Sequence, residues 1–117
     1  MFTNEQIQQA VDILVREANP LKVILFGSYA RGDAREDSDV DFLVIERELS
    51  NKNAEMVRLQ RSLSPTGINS DVFVASEEYT LSSWASFPGT YLYDALREGK
   101  VMYALDGTGA LAAAKGA

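Results

Sequence analysis

Apolar residues recur at helical spacing near the start of the chain. Ile7, Ala10, Val11, Leu14 and Ala18 fall on one face, and Thr3 followed by Gln6 has the form of a capping box, with Phe2 set to staple onto Ile7. This predicts a helix over about 4–18, stopped before Pro20. The period then changes. Val23-Ile24-Leu25-Phe26 is an unbroken apolar run closed by Gly27, the pattern of a central strand covered on both faces. Ser28-Tyr29-Ala30-Arg31 predicts one or two helical turns ended by Gly32, and Asp33 to Ser38 is a polar loop. Asp39-Val40-Asp41-Phe42-Leu43-Val44-Ile45, acidic at its mouth and apolar beyond, reads as a second strand.

Met56, Leu59 and Leu63, with Val57, predict a third helix over 51–63 capped by Ser50. After the turn Ser64-Pro65-Thr66-Gly67, Asp71-Val72-Phe73-Val74-Ala75 repeats the pattern of an acid opening an apolar strand. Ser76-Glu77-Glu78 reads as a cap with first-turn acids, a further helix is expected over about 90–98 up to Gly99, and Val101 to Leu105 is a last strand. The expected fold is α/β (α+β): a mixed sheet of three to four strands with helices mainly on one face. One domain over 1–105 is expected, with a small-residue tail over 106–117. The aromatic stretch Trp84, Phe87, Tyr91 and Tyr93 reads first as packing onto the sheet, and any exposed member would suit a protein interface.

Composition narrows the chemistry. The chain of 117 residues has neither cysteine nor histidine, which removes disulfides, thiolate nucleophiles, the usual zinc sites and imidazole bases. Carboxylates and oxygen-ligated metal remain. A net charge of -6 makes duplex nucleic acid an unlikely partner, and the absence of a long apolar run or signal pattern points to a cytoplasmic protein.

Asp39 and Asp41 lie two apart on a predicted strand, so their side chains share a face about 7 Å apart along the backbone. Two carboxylates drawn to about 4 Å repel by roughly 4 kcal/mol at an effective dielectric near 20, and a divalent cation reverses that sign. Asp71 would complete an oxygen-only set suited to magnesium, or manganese in its place, if the two strands are neighbours. Gly27-Ser28 sits where a strand ends and a helix begins, a position that favours phosphate. Gly27 and Gly32 have Walker spacing, but Asp33-Ala34 follows where that loop needs lysine and then serine or threonine. Asp33, Glu36 and Asp37 read as a solvated loop.

Gly27-Ser28, ten intervening residues and then Asp39-Val40-Asp41, with Ala30-Arg31-Gly32 in the gap, resembles the signature of polymerase-β-type nucleotidyltransferases. The chain is most similar to their minimal type, MNT. The resemblance implies a two-metal transfer of a nucleoside monophosphate, AMP from ATP foremost, to a hydroxyl, with release of pyrophosphate. It places both Mg2+ ions on Asp39 and Asp41, with Asp71 on the ion that activates the acceptor and as candidate proton acceptor. Gly27 and Ser28 would hold the β and γ phosphates. Arg31 would approach the phosphates or pair with an acid such as Asp37. MNT proteins are commonly paired with helical HEPN toxins, so the resemblance further implies an antitoxin that modifies a tyrosine of such a partner. The alternatives are a catalytically silent nucleotide-binding module acting by contact, and an adenylyltransferase of aminoglycoside-like small molecules.

Overall fold

The computed structural model describes residues 1–82 and 88–107. Helix α1 spans Asn4–Ala18, and its capping box forms as predicted: the Gln6 N–H donates to Thr3 Oγ1 at 3.1 Å while the Thr3 N–H donates to Gln6 Oε1 at 2.9 Å. Asn19, in the left-handed conformation, ends the helix and turns the chain into strand β1, Lys22–Phe26. The four-residue α2, Ser28–Arg31, follows at once, and Gly32 terminates it at φ +87. Strand β2 is Val40–Glu46, so Asp39 stands one residue before the strand rather than inside it.

Helix α3 spans Lys52–Ser62 and is capped by Asn51, whose side chain accepts the Ala54 N–H at 3.0 Å. The predicted cap, Ser50, is one residue too early, because only Asn51 is placed to reach the third helical amide. Beyond a 3-10 turn at Ser64–Thr66 come β3, Ser70–Ser76, and the single-turn α4, Glu77–Thr80, capped by Ser76. Helix α5 covers Tyr91–Glu98 and leads through Gly99 into β4, Lys100–Ala104. A side chain on Gly99 would collide with the Ala95 carbonyl and Ile24, so this tight exit requires glycine.

The strands form one sheet in the order β3-β2-β1-β4. β1 runs antiparallel to β2 and β4, and β2 runs parallel to β3. Strand alternation divides the core in two. Val23, Leu25, Val40, Phe42, Val44, Val72 and Val74 face the two long helices, meeting Ile7, Ala10, Val11 and Leu14 of α1 and Leu59 of α3. Ile24, Phe26, Leu43, Ile45 and Ala75 point the other way, onto Leu92, Ala95 and Leu96 of α5. The long helices thus share one face as expected, and α5 covers the other. Among the described residues no helix is long and apolar enough to cross a membrane.

Tyr91 stacks on Phe73, ring centroids 4.7 Å apart, which is the expected packing of the aromatic stretch onto the sheet. Trp84, Phe87 and the tail from residue 108 onward lie outside the described residues.

Candidate active site

The alternation that builds the core also places the acids. On β2, Asp41 shares the face of Leu43 and Ile45, and Asp39 precedes it with the same parity. On β3, Asp71 shares the face of Phe73 and Ala75. The parallel register sets Asp41 directly beside Asp71, and the antiparallel register sets Phe26, the last residue of β1, beside Asp41. Gly27 therefore turns immediately over the Asp41 carboxylate. It holds φ +75, and a methyl group there would collide with Asp41 Oδ2, so this glycine is required twice, by its backbone and by the close approach.

These residues line a cavity of about 370 Å³ at the mouth of β2, with Gly27, Ser28, Arg31, Asp39, Asp41 and Asp71 all on its wall. Every site residue expected from the sequence is brought to this one place. Asp39 and Asp71 are exposed and Asp41 is half-buried. The Asp41 carboxyl is pushed up to about 6, first by burial and then by the negative charges of Asp71 and Asp39, with Arg31 pulling weakly the other way. The Ala30 and Arg31 amides of α2 both donate back to the Gly27 carbonyl at 3.0 Å, so at this helix start it is the Ser28 and Tyr29 amides that have no acceptor within the helix.

Two further wall residues were not singled out in the sequence, Asp94 and Glu98 of α5. Their spacing of four along a helix was legible, but nothing local says which face of the sheet α5 covers. Glu98 also answers what Arg31 does. Arg31 Nη1 donates to Glu98 Oε1 at 2.9 Å and Nε donates to Asp33 Oδ2 at 3.2 Å, so its partners are Asp33 and Glu98 rather than Asp37. Both acids raise its pKa. Of the loop acids, Asp33 thus has a partner, and Glu36 meets the N-terminal amine at 2.8 Å, both on the surface.

Whether the site suits a divalent cation can be tested on its own chemistry. The donors are carboxylate oxygens, the hard ligands that magnesium and manganese take. Asp41 is destabilised as an anion by its two neighbours, the condition that a bound cation relieves. The residues fit the ion in kind. As they stand, however, no three acids among the described residues are disposed to ligate one ion.

Comparison with known proteins gives the class. The family pattern of polymerase β nucleotidyltransferases matches residues 8–108. The chain belongs to that family and is of its minimal type. A solved structure of a candidate minimal nucleotidyltransferase is 32% identical, with a TM-score of 0.52, covering 81% of this chain and 88% of that one. A mutant of the toxin-antitoxin MntA-HpeT shares the fold at a TM-score of 0.62 and 20% identity, over 93% of this chain and 82% of that one. A candidate protein adenylyltransferase of Methanocaldococcus jannaschii is 36% identical over 66 residues, 56% of this chain and 66% of that relative. The matches to two further relatives of the same description and organism span 29% and 24% of their lengths.

Proposed function

We propose that this protein is a metal-dependent adenylyltransferase that moves AMP from ATP to a hydroxyl of a partner protein. One observation carries the reading: the parallel register that sets Asp41 beside Asp71, with Asp39 and the Gly27-Ser28 turn on the wall of the same cavity. Burial and the charges of Asp71 and Asp39 disfavour the Asp41 anion, and a cation bound beside it would reverse that.

In this reading Asp39, Asp41 and Asp71 hold two Mg2+ ions, or Mn2+. Bound there, the ions would neutralise the triphosphate and stabilise the attacking and leaving oxygens. The Gly27-Ser28 turn holds the β and γ phosphates. The acceptor oxygen forms a bond to the α phosphorus, the bond from that phosphorus to the bridging oxygen breaks, and pyrophosphate leaves. The hydroxyl proton passes to the Asp71 carboxylate, the exposed member of the β2–β3 pair. With no histidine in the chain, a carboxylate is the available acceptor.

The acceptor we assign is a tyrosine of a helical HEPN toxin, with this chain as the antitoxin. The descriptions of the relatives support this: protein adenylyltransferase for one and toxin-antitoxin for another. The test is incubation with labelled ATP, Mg2+ and the candidate toxin. Label on the toxin is expected with the natural chain and lost with Asp39→Ala and Asp41→Ala. Neutralisation that survives both substitutions without label would show that contact alone silences the partner.

A further inference from the structure

β3 is an edge strand, and its hydrogen bonds show which groups face outward. Val40 N–H donates to the Asn69 carbonyl at 2.9 Å, so alternate residues from Asn69, including Asp71, turn their backbone groups to β2. Ser70 and Val72 turn theirs away from the sheet. Gln60 of α3 meets both: its Nε2 donates to the Ser70 carbonyl at 2.7 Å, and its Oε1 accepts the Val72 N–H at 3.0 Å. A planar amide presenting one donor and one acceptor to these groups does what the backbone of a neighbouring strand would do. Gln60 is exposed, and no strand of the described residues pairs with this edge.

A groove of about 360 Å³ lies beside the edge, between Met56, Val57 and Gln60 of α3 and Asp71 and Phe73 of β3. Its lining is largely apolar, and Val57 is 49% exposed. Asp71 lines both this groove and the acidic cavity, so the two meet at this residue.

We propose that the outer edge of β3 receives an extended polypeptide segment carrying the acceptor hydroxyl, which displaces the Gln60 carboxamide and pairs as an added strand. The inference rests on the transferase reading and deepens it, assigning a protein backbone as the acceptor's recognition element. Residues opposite one another on adjacent strands have Cβ atoms about 5 Å apart. A side chain opposite Asp71, on the same face, brings its hydroxyl to that carboxylate, and the apolar groove takes its neighbours. Permanent protection of an edge is commonly built with proline, lysine, a bulge or a covering helix, and α3 reaches the backbone of this edge through the Gln60 side chain. A surface glutamine carboxamide is instead a replaceable stand-in, since peptide and glutamine offer the same bonds.

The test uses the full chain, labelled with 15N, and the acetylated, amidated peptide Thr-Val-Tyr-Val-Thr as probe. Two twins carry backbone N-methyl groups, one at the tyrosine nitrogen and the other at both valine nitrogens. The parent peptide is expected to shift the Val72 amide and Gln60 carboxamide signals. One twin should bind about as well and the other about tenfold more weakly, because only alternate nitrogens face the edge. Gln60→Ala should bind the parent several-fold more tightly, the competing amide being gone. Equal binding by all three peptides, Val72 and Gln60 signals that do not move, or no gain from Gln60→Ala would each overturn the proposal. Failure of the transferase reading is seen separately: Val72 responds to the peptide but no acceptor receives label. That result leaves the pairing in place and overturns the acceptor role.

Discussion

The two ends of β2 meet the same electrostatic problem and resolve it differently. At one end Asp41 stands beside Asp39 and Asp71. At the other, Glu46 stands beside Glu55, with one oxygen, Oε2, buried and without a hydrogen-bond partner. Burial is the largest cause at both ends: it and the neighbouring acids push Asp41 up to about 6 and Glu46 up to about 8. The counter-charges separate them. Glu55 receives Arg58 at both oxygens, 2.9 Å each, and these bonds hold its own pKa low. A proton on Glu46 directed at Glu55 completes that end, and it is closed. At the Asp41 end the nearby arginine, Arg31, is already engaged by Asp33 and Glu98. The repulsion stays unrelieved, and the space beside it is open.

An acid pair that is neutralised internally needs no further partner, whereas one left unneutralised at a cavity is what the proposed function puts to use. The largest difference between the ends should appear in activity. Asp41→Asn is expected to lower AMP transfer by about 10³-fold or more, and Glu46→Gln by less than about threefold, in single-turnover assays with labelled ATP. Gly27→Ala forces a methyl group into the Asp41 carboxylate at a positive φ. It should cost about 10²-fold in transfer and about 1–2 kcal/mol in denaturant unfolding.

Magnesium should also tell the ends apart. At pH 7.5, millimolar Mg2+ is expected to raise the melting temperature of the natural chain and of Glu46→Gln by about 3–6 °C, and that of Asp41→Asn by less than about 1 °C. An equal rise in all three would place the ion elsewhere. The pH dependence has a defined sign. A carboxyl whose folded pKa is raised favours the folded state most below its ordinary value, and that contribution is lost as pH rises through the raised value. Without metal, Asp41 therefore withdraws stability between about pH 4 and 6, and Glu46 between about 4.5 and 8. Glu46→Gln should remove the upper part of the decline, worth on the order of 1 kcal/mol after solvent screening, as read by urea unfolding at pH 5 and 8.5. The smallest effect is expected for Glu98→Gln. Freeing Arg31 toward the triphosphate should lower the KM for ATP by about two- to threefold, whereas an unchanged KM would make the pair purely structural.

Much of this was legible along the chain. The capping box, the central strand at Val23–Phe26, the Gly27 turn and the acids at the strand mouths are local patterns, set by periodicity and by backbone rules that operate over a few residues. What escaped reading was a one-residue detail at a cap and, beyond that, contacts distant along the chain. The cap moved from Ser50 to Asn51 because a single residue decides which amide a side chain reaches. One of the two partners of Arg31, Glu98, is 67 residues away on α5, and no pattern near either residue announces it.

By itself the sequence determined which side chains share a face. A period of two puts Asp39 with Asp41, and Asp71 with Phe73, whatever the sheet order. It also excluded imidazole and thiolate chemistry by lacking histidine and cysteine. Only the tertiary structure decided that β2 and β3 are parallel neighbours with Asp41 opposite Asp71, that α5 lines the cavity with Asp94 and Glu98, and that the β3 edge is met by Gln60. Strand pairing is chosen by burial of both sheet faces at once, a property of the packed whole that no single segment contains.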